Sequence, residues 1–146
     1  MCVIIDTNVA AILLVDRHPD FDPIWQALRE KRARMVYSPQ LTREYQRNRS
    51  VIAVVSQLTR AGAARLVPAA DVAKQIDALV SEGHCVSNDV HIVAIARVGS
   101  VRLLCSRDQA LHADFTNPII LNNPRGSIYQ NASHQHLIRE HCGSRP

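Results

Sequence analysis

The stretch CVIIDTNV at residues 2–9 decides how the rest of the chain is read. Residues 2–5 form a short continuous apolar run with no polar alternation, as a strand covered on both faces requires. Asp6 ends that run. Residues 8–15 (NVAAILLV) then read as a helix, with Asp6 or Thr7 supplying its cap. A buried strand that passes into a helix at an acid is how a central parallel strand begins an α/β unit.

The same alternation continues outward. Further strands are predicted at 34–37 (RMVY), 65–67 (RLV), 101–105 (VRLLC) and, as a late edge strand, 118–121 (PIIL). A Pro/Asp-punctuated link over 18–23 precedes a helix at 24–32. Ser38-Pro39 is a serine cap with proline at the first helical position, starting a helix that runs to about Arg49. Another follows over 50–61 and stops at Gly62. From Asp71 to Glu82, Val72, Ile76 and Leu79/Val80 share one face, and Gly83 terminates the helix. Ser87 caps a helix over 88–98 closed by Gly99, and a short helix near 108–113 follows Ser106. Residues 122–131 are an Asn/Pro/Gly-rich loop, and a last helix covers 132–141. Strands separated by helices, with no tight hairpin, predict a three-layer α/β/α sandwich with a central, mostly parallel sheet of about five strands. Ligands of such sheets sit outside the carboxyl ends of the strands. With no repeat or long linker, 1–146 reads as one domain, in which 122–146 is a loop plus C-terminal helix extension.

Composition agrees. The 146 residues are enough for a core without staples. Hydrophobic residues make up 47%, but with two Phe and one Trp, aliphatic side chains must fill the interior. No apolar run reaches membrane-spanning length and no signal-like segment opens the chain, so a cytoplasmic protein with no membrane partner is expected. The four cysteines, Cys2, Cys85, Cys105 and Cys142, show no close pairing. Cys2 and Cys105 read as small core hydrophobes in a reduced protein. The formal charge of +4 is compatible with a nucleic-acid partner without establishing one.

Three acids stand where the topology makes them converge: Asp6 after the first strand, Asp89 in the first turn of its helix, and Asp108 just beyond strand 101–105. Each alone is equally a helix-start acid offsetting the dipole, an effect of a few tenths to about 1 kcal/mol. Glu44 lies on the inward stripe of its helix, where a carboxylate is costly unless a cation or donor meets it. Arg43 or Arg47 is the ion-pair alternative. Carboxylates gathered together raise one another's pKa, and a divalent cation removes that penalty, so a cluster without a lysine points to Mg²⁺ or Mn²⁺. Asn8 is placed to orient a water or phosphate, and Thr7 to cap the helix or bond a neighbouring carboxylate.

Taken together, CVIIDTNV (2–9), LTREY (41–45), SNDVHIVA (87–94) and LLCSRD (103–108) with HADF (112–115) resemble a PIN domain, in the small single-domain form that includes VapC-like toxin ribonucleases. The resemblance implies that Asp6, Glu44, Asp89 and Asp108 are the metal-binding acids, with Asp114 in the place of a further one that reads equally as a cap. It implies Mg²⁺ or Mn²⁺ as cofactor and endoribonuclease chemistry through metal-activated water, with no histidine or serine nucleophile. RNA, an antitoxin protein that inserts a basic side chain into the pocket, and a second copy of the chain are the implied partners. Arg107 puts a base beside Asp108, a mild departure from the family pattern.

Arg43, Arg47, Arg49 and Arg107 would form a basic rim that holds phosphates without reading sequence; an ordinary solvated face is the alternative. Tyr45 and Tyr129 read as packing residues before base-stacking ones. His91 lies close enough to Asp89 in sequence to approach the site, with solvent exposure or a hydrogen bond within its helix as the favoured reading. His134, His136 and His141 fit no closed zinc motif and read as a solvated tail helix, with Leu137 and Ile138 as its anchor. Two rival functions remain. A metal-dependent phosphatase wants an acid where Asn8 stands and a lysine near the late acids, and none occurs between 87 and 114. A non-catalytic PIN-like nucleic-acid-binding or scaffold protein would keep the fold without turnover.

Overall fold

In the computed structural model, residues 1–143 are described; the last three residues of the predicted extension, 144–146, lie outside them. The elements run β1 (Val3–Ile5), α1 (Thr7–Leu14), α2 (Asp22–Arg29), β2 (Met35–Tyr37), α3 (Pro39–Tyr45), α4 (Arg49–Arg60), β3 (Ala64–Leu66), α5 (Ala69–Glu82), α6 (Val90–Gly99), β4 (Leu103–Cys105), α7 (Gln109–Phe115), β5 (Ser127–Tyr129), a 3₁₀ turn (Ala132–His134) and α8 (His136–Cys142). The five strands form one sheet in the order β3-β2-β1-β4-β5, and every neighbouring pair is parallel. Helices cover both faces, giving the expected three-layer sandwich. On the helical side, α1 meets α2, α3 and α4, while α5 and α6 pack on each other.

The strands are short, and β1, β2 and β4 are buried along their whole length. That is why their sequences are unbroken apolar runs instead of alternating ones. The chain moves from β1 outward through β2 and β3, then returns to lay β4 on the other side of β1. The crevice at the carboxyl ends of β1 and β4 is therefore the switch point where an open α/β sheet binds its ligand. Register sets its geometry: Ile5 pairs with Cys105, so the residues that follow, Asp6 and Ser106, emerge side by side.

Most helix starts follow the sequence, but α6 begins at Val90 after Asp89 with no side-chain cap, not at residue 88 on a Ser87 cap, so Asp89 precedes the first turn instead of lying in it. Asp6, Ser38, Asn48 and Asp108 all cap with side-chain oxygens, and Pro39 takes the first turn of α3. Gly83 closes α5 in the left-handed region at φ 74°, where a side chain would be strained. At the end of α6 that role falls to Ser100 instead of Gly99.

Three expectations need correction. The fifth strand is Ser127–Tyr129, inside the predicted loop, and not 118–121. Residues 118–121 curl into a turn in which the Asn117 carbonyl accepts from the N–H groups of Ile120 and Leu121. Arg97 donates to the Ile120 carbonyl and Arg102 to the Pro124 carbonyl, tying this connection to the body. The second helix starts at Asp22, within the predicted link, with Pro23 in its first turn. Cys2 is not a free core thiol: it is disulfide-bonded to Cys142, and only Cys85 and Cys105 remain as free cysteines among the described residues.

The tail helix is correspondingly docked and not solvated. Ile138 is buried, Leu137 packs against the core, and His141 bonds the Ser127 hydroxyl of β5 at 3.0 Å. No helix among the described residues is long and apolar enough to cross a membrane.

The disulfide spans a sequence separation of 140, so it restricts nearly the entire unfolded chain. Cys142→Ala should lower unfolding free energy by about 2–5 kcal/mol. Denaturant titration of the oxidised wild type, the reduced wild type and the variant checks this, and the last two should coincide.

Candidate active site

Four carboxylates lie within electrostatic reach of one another near the carboxyl edge of β1 and β4. Asp6 is 6% exposed and fully engaged: Oδ1 accepts from the Thr7 N–H at 2.7 Å and Oδ2 from the Ser106 hydroxyl at 2.7 Å. The buried Ser106 Oγ also accepts from the Asp108 N–H at 3.1 Å and from the Asn8 amide at 3.4 Å. Asn8 Oδ1 in turn accepts from the Arg107 N–H at 3.2 Å. Asp108 caps α7 with Oδ1 alone, which accepts from Ala110 and Leu111. Its second oxygen is not part of that cap.

Glu44 comes from α3, and Thr7 places it: the Thr7 hydroxyl donates to Glu44 Oε1 at 2.8 Å. Arg43 and Arg47 are exposed, and neither pairs with Glu44, which removes the ion-pair alternative. The neighbouring Tyr45 is fully buried and donates to the Ile5 carbonyl. Tyr129 is equally buried, donates to the Asp20 carbonyl at 2.8 Å and packs against Phe21. Neither ring is free to stack on a base.

Asp89 stands just before α6, its N–H bonded to the Ser87 hydroxyl at 2.8 Å. Asp114 holds this turn. It is 1% exposed, and its two oxygens accept from the N–H groups of Val86 and Ser87, each at 2.9 Å. Its carboxylate is thus consumed in fixing the loop that presents Asp89. His91, expected at the surface, is instead 5% exposed and turned into the cluster. Its Nε2 lies 3.3 Å from Glu44 Oε2 and 3.8 Å from Asp89 Oδ1. The sequence signal for this was present but weak. His91 sits within the run Val90–Ala96, whose periodicity points it inward beside Ile92 and Ile95.

Electrostatics bind the four acids into one group. Burial pushes the Asp6 carboxyl above the ordinary range against the pull of the Ser106 and Thr7 hydrogen bonds, and the Glu44 and Asp108 charges add to the rise. Asp89 is raised first by burial and then by Asp6, with Asp108 and Glu44 adding and His91 opposing. Among the described residues no lysine or arginine forms an ion pair with any of them; the contacts within ion-pair range are those of His91. No three His, Cys, Asp or Glu side chains among the described residues form a ready-made cation cage. Two surface grooves, one around Trp25 and Leu58 and one around Arg34 and Arg139, include none of the four acids.

The sequence profile of the PIN domain matches residues 2–110, which span β1 through the start of α7 and contain all four acids. The chain belongs to the PIN-domain family. In this PIN domain the matched region ends before β5 and α8, so the disulfide-tied C-terminal segment lies outside it. A solved structure it resembles is VapBC2 from Rickettsia felis bound to a DNA fragment from their promoter. That likeness stands at 13% identity and a TM-score of 0.47, over 90% of this chain and 99% of that one. Similarity at this level bears on neither activity nor partner. No curated protein matches the chain.

Of the predicted residues, Asp6, Glu44, Asp89 and Asp108 are brought together, with Thr7 and Asn8 tied into the same network. Asp114 supports the cluster from behind. Arg43, Arg47 and Arg107 are exposed. Asp114→Ala leaves two backbone donors without their charged acceptor and should cost about 3 kcal/mol, with faster amide exchange at Val86 and Ser87 as the local signature.

Because the folded-state values of Asp6 and Asp89 are raised, their contribution to stability is full below the ordinary carboxylate range and is lost as pH rises through the raised values. At neutral pH the burial of these charges, with their mutual repulsion added, is therefore a cost. Asp89→Asn should melt at a higher temperature than wild type in EDTA at pH 7, and a lower melting temperature would refute the repulsion.

Proposed function

We propose that this chain is a divalent-metal-dependent nuclease, an endoribonuclease in its main activity, that hydrolyses phosphodiester bonds at the acidic cluster. PIN-domain membership, in a family associated with nucleases, sets the frame. The observation that carries the reading is the mutual electrostatic influence of Asp6, Glu44, Asp89 and Asp108 near the sheet's switch point, with no lysine or arginine among the described residues in ion-pair range of them. Carboxylates held in mutual repulsion are a suitable donor set for Mg²⁺ or Mn²⁺, and a buried imidazole with no hydrogen-bond partner faces the same point.

Asp6 and Asp89 are the principal ligands in this reading, with Glu44 and Asp108 completing the set. When bound, the cation supplies a Lewis acid at the scissile phosphate and lowers the pKa of water. The protein's share is placement. Ser106 and the Thr7 N–H keep the Asp6 carboxylate from rotating, Thr7 Oγ1 steadies Glu44, and the Asp114 clamp fixes the turn before Asp89. Asn8, anchored between Ser106 and Arg107, is positioned to bond a phosphate oxygen or water. Arg43, Arg47 and Arg107 are the exposed bases to receive flanking phosphates, a contact that carries affinity and not sequence choice.

As the toxin of a toxin–antitoxin pair, the chain would be silenced by a partner that places a basic side chain among these acids. The acidic character of the cluster suits such an occupant as well as it suits a cation.

Calorimetric titration with Mn²⁺ tests the site. Binding is expected in wild type and at least tenfold weaker in Asp6→Ala and Asp89→Ala, on the order of 1.4 kcal/mol or more. If both variants bind as tightly as wild type, the site is wrong. Cleavage of a mixed RNA and single-stranded DNA pool should disappear in EDTA and in Asp6→Asn. Folded, Mn²⁺-loaded protein that cleaves neither substrate would favour the non-catalytic alternative. Arg107→Ala should weaken substrate binding across all sequences and reduce the salt-dependence slope by about one.

A further inference from the structure

His91 is the second residue of α6, followed by Ile92, Val93 and Ala94, all of which are core. The ring shares their burial at 5% exposure, yet neither Nδ1 nor Nε2 has a hydrogen-bond partner. Glu44 Oε2 lies 3.3 Å from Nε2, close enough for an ion pair but without the alignment of a hydrogen bond. A buried polar group left in that state costs about 1–3 kcal/mol, and an aliphatic side chain would fill the space without it. The ring does not point at random. Its Nε2 lies 3.3 Å from Glu44 Oε2 and 3.8 Å from Asp89 Oδ1, oxygens of two of the four acids.

We propose that Nε2 of His91 is a nitrogen donor to the divalent cation held by Glu44 and Asp89, and that it makes the site select Mn²⁺ over Mg²⁺. The inference rests on the metal-dependent reading above and adds a ligand and a metal preference to it. As a ligand the ring would be neutral, with its proton on Nδ1 and the Nε2 lone pair directed at the cation between the carboxylates. Mg²⁺ is a hard ion that keeps oxygen ligands and several waters, whereas Mn²⁺ and the later divalent metals gain more from imidazole. Four carboxylates alone would discriminate little between the two ions; one imidazole among them changes that.

The test uses the full chain loaded with Mn²⁺. Pulsed electron paramagnetic resonance should detect nitrogen coupling to the metal in wild type. Calorimetry on wild type, His91→Gln and His91→Leu should show Mn²⁺ affinity falling roughly tenfold or more in both variants, with a smaller change for Mg²⁺. Circular dichroism melts in EDTA establish that the variants fold, and the wild-type spectrum decides the matter if they do not. Mn²⁺ bound to wild type without nitrogen coupling, or folded variants that keep the wild-type ratio of Mn²⁺ to Mg²⁺ affinity, would overturn the role of His91. In that case Asp6→Ala and Asp89→Ala still report on the carboxylate site by themselves. If those two variants also bind Mn²⁺ like wild type, the metal site as a whole fails and the His91 ligand fails with it.

Discussion

The hydroxyl of Ser106 joins the two loops on which the acidic cluster depends. It donates to Asp6 Oδ2, and it accepts from the Asp108 N–H and the Asn8 amide. A single buried oxygen thus ties the residue after β1 to the residues after β4. The arrangement requires the β1–β4 register, with Ile5 opposite Cys105, and the Asp6 N–H bonded to the Cys105 carbonyl one step beyond the strand. A slip of one residue would turn the strand faces over and carry the carboxylate away from the crevice. The aliphatic core of β1, β2 and β4 therefore does more than stabilise: it fixes the alignment on which the chemistry rests.

Two of the acids carry structural and chemical duties through the same side chain. Asp6 and Asp108 cap α1 and α7, and both belong to the cluster. Replacement by asparagine keeps a good cap while removing the charge, so the two duties are separable at these positions. Asp114 shows the opposite economy, a buried acid wholly occupied by backbone donors. The loop it holds is the one that presents Asp89.

Much of this was legible in the sequence because it is local. Continuous apolar runs marked β1, β2 and β4. Ser38-Pro39, Asp6 and Gly83 marked helix ends by rules that need only a few neighbouring residues. The order of strands and helices then placed Asp6, Asp89 and Asp108 at one edge. What stayed hidden depends on contacts distant in sequence. The PIIL run at 118–121 is more apolar than the SIY of β5, yet Arg97 and Asn117 close it as a turn and the ladder of β4 accepts SIY instead. The Cys2–Cys142 pair joins opposite ends of the chain, which spacing rules do not reach. His91 reads as an ordinary surface candidate until α3 and α6 are brought together and Glu44 stands opposite it.

The same bond between Cys2 and Cys142 also decides how the molecule answers a pull. With the first strand and the last helix covalently joined, tension applied between the two ends passes through the two sulfur atoms and bypasses the sheet. The strands, which as parallel neighbours would otherwise be loaded in shear, feel almost none of it. A machine that draws in the C-terminus meets a closed ring and must admit two strands of polypeptide at once. Only reduction turns the domain back into a thread.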